Sequence, residues 1–438
     1  GAAATVFTLV FVALMIGLNL LVGLASERFH LQVELTEDQV FTVSEKTEAF
    51  LQDLEHDVEL IVLGDEATWR SYSSSAASGG EYQYGLSVSR EKYLVETLDR
   101  YAQLSDRVKL YYVNPDYHPD FFAERNHLPI TDHLQGSDGK EDTPVLIVYS
   151  PDTGRYRYVR KSVFSDSQYL PLENRLNGGI RYATNPDMQK VALISGHGEY
   201  QLSYFEDFME GNGFDVEILD LPQVESIPSD YQMIVICNPG RQYSLTDIEK
   251  IEAFLSNGEL QGKSMMVFAD MDYCKSDKYL REYLEEWGIG LGDQSIYDSN
   301  RLTLKNVTTI EVNYAEEAAS MSGTLVSGDY KLKLELGKIR VLKDLWNGET
   351  RNNIGVYTLL ESSRTSFARY QVTSRDQFPT QPAEGDTSGP LPVGLLALRT
   401  RTDGLSTYSS SVAVFGSASL IDDYFISNVD GENQATYE

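Results

Sequence analysis

The chain has 438 residues, of which 36 are Lys or Arg and 66 are Asp or Glu, and its formal net charge is −30. At roughly 150 residues per domain, this length predicts about three units. The acidic charge argues against nucleic acid as a partner and against adhesion to anionic lipid, because both require a cationic face. The two cysteines, Cys237 and Cys274, permit one disulfide at most; we expect two thiols, because Cys237 ends an apolar, strand-like run.

The first 25 residues carry no charge, and Val6–Leu24 is almost continuously apolar. About 20 apolar residues at 1.5 Å per residue span a hydrocarbon core of ~30 Å. A secretory signal has a shorter apolar core of about 7–15 residues. We therefore expect residues 1–25 to form a transmembrane helix that anchors the protein in the cell membrane. Clusters of Lys and Arg do not follow it, so we place residues 26–438 outside the cytoplasm.

Residues 26–185 indicate a β-α-β-α-β-β unit preceded by one helix. The apolar spacing predicts helices over 43–54, capped by Ser44, and over 90–103, with a Ser/Gly-rich loop over 71–89. The predicted strands are short apolar runs, of which the last two form a hairpin: Val58–Leu63, Val108–Val113, Thr143–Tyr149 and Arg155–Arg160.

This order resembles the thioredoxin fold, in which a Pro also opens the third strand. The equivalent peptide bond in that fold is cis, so the resemblance implies a cis bond before Pro144. No C-x-x-C motif occurs in the chain. The resemblance therefore implies a thioredoxin-like scaffold without oxidoreductase activity.

From about residue 186 onward, strands and helices alternate strictly. Helices are predicted to begin at two capping boxes, one formed by Ser203 and Glu206 and the other by Thr246 and Glu249. The predicted strands are again apolar runs: Lys190–Ser195, Asp215–Leu219, Gln232–Cys237 and Ser264–Ala269. This alternation is typical of an open, doubly wound parallel sheet.

Residues 300–438 are less regular, with a Pro- and Gly-rich loop predicted over 375–392. The predicted strands here are Val307–Val312, Tyr330–Leu334, Ile354–Leu360, Gly394–Leu398 and Ser411–Phe415. Because Val412–Phe415 is apolar on both faces, we expect it to join the preceding parallel sheet. Residues 186–438 are therefore expected to form a flavodoxin-like doubly wound α/β domain with a β-rich insertion at about 300–405.

The loop Gly196-His197-Gly198-Glu199 follows the first strand of this domain, at the edge where such sheets bind ligands. A lone G-x-G is weak evidence, because the third glycine of a dinucleotide fingerprint is absent. Two interpretations remain open. His197 and Glu199 contact a ligand, or they brace neighbouring loops around a tight turn; we favour the second.

Other polar side chains follow the third and fourth strands. Asn238 and Arg241 come after one, and Asp270 and Asp272 after the other. Two carboxylates spaced at i and i+2 suit acid–base or metal chemistry, but acidic residues at strand ends also cap helices and form solvated rims. A nucleophilic Cys237 would additionally need a histidine nearby.

The segment Gly258-Glu-Leu-Gln-Gly262-Lys263-Ser264 nearly imitates a nucleotide P-loop, with one residue too few between the glycines. A strand is predicted after Ser264, whereas phosphate binding needs a helix N-terminus there. The sequence therefore predicts that this chain is not an ATPase. We expect no catalytic residue, cofactor or metal ligand. Six residues remain as contacts for a ligand or partner: His197, Glu199, Asn238, Arg241, Asp270 and Asp272.

Several segments, taken in order after the apolar N-terminus, together resemble one known family: Leu35–Asp38, Phe41–Thr47, Ile194–Glu199, Ile236–Gly240, Leu245–Gly258 and Val412–Ser417. They resemble the GldG-like family, auxiliary subunits of bacterial ABC transport systems, and the central part is similar to a domain shared with an intraflagellar-transport protein. The resemblance implies an extracytoplasmic, non-ATPase subunit that works beside a membrane permease and a separate ATPase. It also implies a second transmembrane helix, which we expect after Glu438.

The favoured hypothesis is thus a membrane-anchored accessory subunit of an ABC transporter that contacts the permease or its cargo. An alternative is an anchored protein that binds extracellular glycan or peptide, because 28 tyrosines are present and exposed tyrosines favour such contacts. A third is a hydrolase that uses Asp270, Asp272, His197 or Glu199.

Overall fold

The computed structural model describes residues 43–71, 81–83, 86–88, 90–125, 128, 134–135, 141–142, 144–160, 172–304, 307–318, 332–374, 377–404 and 406–422. The predicted anchor, residues 1–25, lies outside these ranges. So does Thr143, and the cis bond expected before Pro144 therefore stays a prediction. Within the described ranges, no helix is long and apolar enough to cross a membrane.

The described chain divides into two compact units. The first unit combines the described parts of Leu31–Met188 with Glu206–Asp215, and the second combines Gln189–Phe205 with the described part of Val216–Glu438.

The elements of the chain before Gln189 begin with a capped helix. The side chain of Ser44 accepts a hydrogen bond from the backbone N–H of Thr47, as the predicted cap requires. In chain order the elements are α1 (Glu45–Gln52), β1 (Val58–Leu63), α2 (Glu66–Arg70), β2 (Glu81–Gln83), β3 (Leu86–Val88), α3 (Arg90–Leu104), β4 (Val108–Val113), α4 (Pro119–Ala123), β5 (Leu134–Gln135), β6 (Glu141–Asp142), β7 (Pro144–Tyr149), β8 (Tyr156–Arg160) and α5 (Leu172–Thr184).

A four-stranded sheet organises the first unit, with the strand order β4-β1-β7-β8. The β1–β4 pair is parallel, whereas β1–β7 and β7–β8 are antiparallel, so the predicted hairpin is confirmed. Helices α1, α3 and α5 cover one face of this sheet through a continuous apolar core: Leu51, Leu60, Val62, Leu94, Leu98, Tyr101, Leu146, Val148, Leu176 and Ile180. Helix α4 covers the other face, where Phe122 packs against Ile61 and Ile147.

The elements from Gln189 onward are β9 (Gln189–Ser195), α6 (Ser203–Gly211), β10 (Phe214–Asp220), β11 (Tyr231–Cys237), α7 (Leu245–Ser256), β12 (Ser264–Phe268), α8 (Tyr279–Glu286), β13 (Ile289–Asp298), β14 (Leu302–Leu304), β15 (Val307–Tyr314), β16 (Leu332–Glu335), β17 (Arg340–Asp344), β18 (Ile354–Ser362), β19 (Ser366–Tyr370), β20 (Thr387–Ser388), β21 (Pro392–Asp403) and β22 (Ser406–Phe415). Helix α7 ends at Asn257, which adopts the left-handed conformation with φ +47°.

A ten-stranded sheet runs in the order β10-β9-β11-β12-β22-β21-β18-β15-β14, with β16 also paired to β15. Strands β9, β11, β12 and β22 are parallel neighbours. The expected place of Val412–Phe415 is confirmed, because Val412 pairs with Met265 and Phe415 with Phe268. Buried residues of these strands pack against α7 and α8: Ile234, Ile236, Ile251, Leu255, Met265, Val267, Leu280, Leu284, Val412 and Val414.

The sheet is mixed rather than parallel throughout. Strands β21 and β22 pair antiparallel, and β18 and β15 extend the sheet in the same way. Most of the predicted β-rich insertion therefore continues the main sheet. Strands β17, β19 and β20 of the insertion instead form a second sheet with β13, which precedes the insertion, in the order β17-β13-β19-β20.

The start of α7 differs from the prediction. The helix is capped by Ser244, whose hydroxyl accepts from the N–H of Asp247 while the Asp247 carboxylate accepts from the N–H of Ser244. The capping box assigned to Thr246 and Glu249 is therefore wrong by two residues. Asp247 occupies the third helical position, where Glu was expected, and its carboxylate accepts the same hydrogen bond. The helix therefore begins two residues earlier than predicted.

Candidate functional site

The six candidate residues all lie beyond the carboxyl ends of β9, β11 and β12. Strands β9 and β11 are neighbours, while β10, which lies between them in sequence, pairs on the other side of β9. The strand order therefore reverses at β9, and open α/β sheets bind ligands in the crevice formed at such a reversal.

Backbone hydrogen bonds close this crevice. The N–H of Gly240 donates to the carbonyl of Gly198 at 3.2 Å, and the N–H of Arg241 donates to the carbonyl of His197 at 2.8 Å. The guanidinium of Arg241 adds a bond to the carbonyl of Gly196 at 2.8 Å. The loops after β9 and β11 are thus bonded to each other where a ligand would otherwise lie.

Gly196 lets a third loop approach the same point. Its φ is +111°, and a Cβ at this position would lie 2.4 Å from Cδ of Pro222 and 2.8 Å from Oδ1 of Asp220. A side chain would collide with the segment after β10, so the glycine is explained by close packing.

His197 is the centre of a buried polar network. Its Nε2 lies 3.1 Å from Oδ2 of Asp247, its Nδ1 lies 3.5 Å from Oε1 of Glu199, and its ring stacks on Tyr243 with centroids 4.0 Å apart. The hydroxyl of Tyr243 donates to Glu199 at 2.7 Å. Burial alone would lower the pKa of His197, but Glu199 and Asp247 outweigh it and raise the pKa.

The carboxylates beside this histidine are held in their charged forms. Although burial opposes ionisation, hydrogen bonds from His197 and Tyr243 lower the pKa of Glu199. The pKa of Asp247 is likewise lowered, against the effect of burial, by Ser244 and by Lys250, whose Nζ lies 3.2 Å from Oδ1. The network therefore ties the loop after β9 to the N-terminus of α7, which is the bracing arrangement favoured above. Tyr243 and Asp247 were missed, although Ser244-x-x-Asp247 has the spacing of a capping box.

Asp270 forms a second polar centre at the end of β12. Its backbone N–H donates to Oδ1 of Asn238 at 2.9 Å, and its own Oδ1 accepts from the N–H of Asp272 at 2.7 Å. Asn238 adopts a left-handed conformation with φ +43°. The residue Asp270 is only 1% exposed, and this burial raises the pKa of its carboxyl to about 6.

Two cations absent from the sequence-based candidates border this centre. Arg340 is 1% exposed, and its guanidinium donates to the backbone carbonyls of Ala269, Asp270 and Gly292. Burial lowers the pKa of Arg340 to about 10. Because 70 residues separate Arg340 from Asp270, no local sequence pattern could have found this contact.

Asp272 lies at the more exposed side of the same centre. The Nζ of Lys338 is 3.6 Å from its Oδ2, and the hydroxyl of Tyr200 donates to the same oxygen at 3.3 Å. Burial and the negative charges of Asp270 and Asp272 raise the pKa of Tyr200. The structure thus brings Asp270, Asp272 and Asn238 together. The side chains of His197 and Arg241 make their hydrogen bonds elsewhere, to Asp247 and to the carbonyl of Gly196.

The remaining motifs have structural explanations. The two ring nitrogens of His197 face Asp247 and Glu199, so neither is directed at Cys237, and neither cysteine forms a disulfide. The Nζ of Lys263 donates to the carbonyls of Ser229 and Tyr231, and β12 rather than a helix follows it. Among the described residues, no group of three or more His, Cys, Asp or Glu side chains could hold a metal ion.

Comparison with known proteins gives one family match. The model of a family described as an ABC-type uncharacterized transport system, and named as its auxiliary component, matches residues 188–438, more than half of the chain. Comparison with curated proteins gives no match.

Two solved structures resemble the chain weakly. One, titled "mmIFT52 N-terminal domain", is 12% identical and covers 56% of this chain and 93% of its own, with a TM-score of 0.37. The other, "Structure of PurLQS from Thermotoga maritima", is 11% identical and covers 57% and 97%, with a TM-score of 0.29. These TM-scores are too low to establish a shared fold.

Proposed function

The chain belongs to the family of auxiliary components of ABC-type transport systems, whose model matches residues 188–438, and from this membership we propose a specific role. The protein is a membrane-anchored, extracytoplasmic accessory subunit of an ABC transporter complex. It contacts the permease or its cargo, and it performs no catalysis of its own. The family match is the observation that carries this proposal.

The geometry of the sheet edge supports a role in contact rather than in chemistry. The crevice between β9 and β11 is occupied by hydrogen bonds between its own loops. The side chains of His197 and Glu199 brace α7 and its preceding loop instead of facing an open cleft. A rigid edge of this kind suits a subunit that presents fixed surfaces to other proteins.

The proposal includes an organisation for the whole chain. Residues 1–25 form the anchor, residues 26–185 a thioredoxin-like domain, and residues 186–438 a flavodoxin-like domain of the GldG type. The strand order β4-β1-β7-β8 with a single parallel pair supports the second of these. The order β10-β9-β11-β12-β22 supports the third, because numbering these strands along the chain gives the flavodoxin order 2-1-3-4-5.

Purification of the full-length protein from its native membrane tests the proposal. We expect a permease and a separate ATPase to co-purify in fixed ratio with the tagged chain. A matched chain that lacks residues 1–25 should retain less of both, because it lacks the anchor that the proposal places in the membrane.

Recovery of the full-length protein alone, in a mild detergent that keeps other transporters intact, would contradict the proposal. Saturable binding of a glycan or peptide to residues 27–438 in that situation would support the alternative of an extracellular binding protein. Hydrolytic activity that disappears on replacing Asp270 and Asp272 would favour an enzyme instead.

A further inference from the structure

Strand β4 is an edge of the sheet in the first unit. It pairs with β1 on one side, and no strand of the described residues pairs with its other side. At the two ends of β1, the backbone N–H of Val58 donates to the carbonyl of Arg107, and the backbone N–H of Gly64 donates to the carbonyl of Val113. Residues 107 and 113 therefore direct their backbone groups towards β1. Because backbone groups alternate along a strand, the N–H and C=O groups of Leu110 face the open edge.

A cavity of about 550 Å³ lies along this open edge. Leu110 and Tyr112 of β4 form one wall, and α3 contributes Asp99 and Gln103 to another. Alternate side chains of a strand point to the same face of a sheet. A strand added beside β4 would therefore direct one side chain into this cavity while its backbone pairs with β4, as in recognition by strand addition.

The charges of the cavity favour a cationic side chain. The guanidinium of Arg70 makes two hydrogen bonds to the carboxylate of Asp99, at 2.7 and 2.8 Å, and one to that of Glu66 at 2.8 Å. Arg70 thus already binds both carboxylates. The three side chains together carry one positive and two negative charges, so their net charge is negative. An incoming Lys or Arg would complete this cluster, whereas an incoming carboxylate would meet two like charges.

We propose that the β4 edge binds an extended segment of a partner protein, which adds as a strand and places a Lys or Arg side chain in the cavity beside Arg70, Glu66 and Asp99. A second copy of this chain is disfavoured as the occupant. Pairing two identical edges would bring two acidic cavities together on chains that each carry a net charge of −30. The inference is independent of whether the partner is a permease.

Photo-crosslinking in the native membrane tests the proposal. A photoreactive amino acid replaces the exposed Gln103 in the full-length protein, and mass spectrometry identifies the captured peptide. We expect a segment of another protein that carries a Lys or Arg at the crosslinked stretch. A synthetic peptide of that sequence should protect the Leu110 amide of the purified protein from hydrogen exchange.

Charge reversal provides the matched comparison. Glu66 is exposed, and Glu66→Lys should lower the crosslinking yield by roughly three- to tenfold, because an exposed charge pair becomes a repulsion. Glu124→Lys makes the same change in charge at the end of α4, which covers the opposite face of the sheet, and should leave the yield unchanged. A crosslink to a second copy of this chain, a captured segment without a basic residue, equal yields in the two variants, or no crosslink would each overturn the proposal.

Discussion

Replacing the buried carboxyl of Asp270 by an amide should stabilise the protein at neutral pH. The residue is 1% exposed, and its carboxyl group acts as an acceptor, receiving the N–H of Asp272. Asparagine has nearly the same shape and keeps that acceptor. Asp270→Asn therefore removes a buried charge while preserving the hydrogen bond.

The magnitude follows from the pKa. Burial raises the pKa of Asp270 from the ordinary 3.8 to about 6 in the folded protein. The folded state therefore holds this proton more tightly than the unfolded state does, and the associated stability is present below about pH 4 and lost as the pH rises through about 6. The pKa is raised by about two units, and each unit corresponds to about 1.4 kcal/mol. Ionisation of Asp270 at neutral pH therefore lowers the free energy of unfolding by up to about 3 kcal/mol.

Urea denaturation followed by tryptophan fluorescence measures the effect. Near pH 7, Asp270→Asn should raise the free energy of unfolding by about 1–3 kcal/mol, and near pH 4 it should change it by less than about 0.5 kcal/mol. Glu249→Gln, an exposed carboxyl on α7, is the control and should leave the free energy unchanged at either pH. Equal destabilisation at both pH values would refute the reasoning, because it would require a contact made by the carboxyl in either charge state.

Other substitutions test the packing of the same edge. Arg340→Met removes the donors to three buried carbonyls and should lower the free energy of unfolding by about 3–5 kcal/mol in urea; a loss below about 1 kcal/mol would contradict this. Because the pKa of His197 is raised, protonation of this histidine stabilises the folded protein fully below about pH 6.5, and this stabilisation is lost as the pH rises through the raised pKa. The free energy of unfolding of the unsubstituted protein should therefore exceed that of His197→Gln by less as the pH increases; a difference that stays constant with pH would count against the network. Gly196→Ala should lower the melting temperature more than Gly198→Ala, because both glycines have positive φ but only the first Cβ would collide, with Pro222; equal losses would show that collision is not the cause.

Local patterns located most of the helices and strands. The bounds of β1 and β4 agree with the predicted Val58–Leu63 and Val108–Val113, because each is an apolar run between polar residues. Strand β13 was not predicted, since Gly290 and Gly292 interrupt its apolar pattern. Close packing explains Gly292, because a Cβ at this position would lie 2.6 Å from the carbonyl oxygen of Val341 on β17.

The candidate site was only partly visible in the sequence. His197, Asn238 and Asp270 were found because each follows a strand, and the carboxyl ends of parallel strands meet at one edge. Their partners were not found. Arg340 donates to the backbone carbonyl of Asp270 although 70 residues separate the two. Asp247 of α7 contacts His197 although 50 residues separate them.

The charge of −30, the order of strands and helices, and the segments that resemble an ABC transport family are properties of the sequence by itself. They depend on composition and on short-range patterns, which need no knowledge of the fold. Only the tertiary structure shows that the loops after β9 and β11 are hydrogen-bonded to each other and that Asp270 is buried against Arg340. It also shows that, among the described residues, no strand pairs with the outer side of β4, beside the cavity that Glu66 and Asp99 line. Each of these depends on residues distant in sequence that meet only when strands pair and helices pack, and pairing over such distances leaves no periodic signal in a single chain.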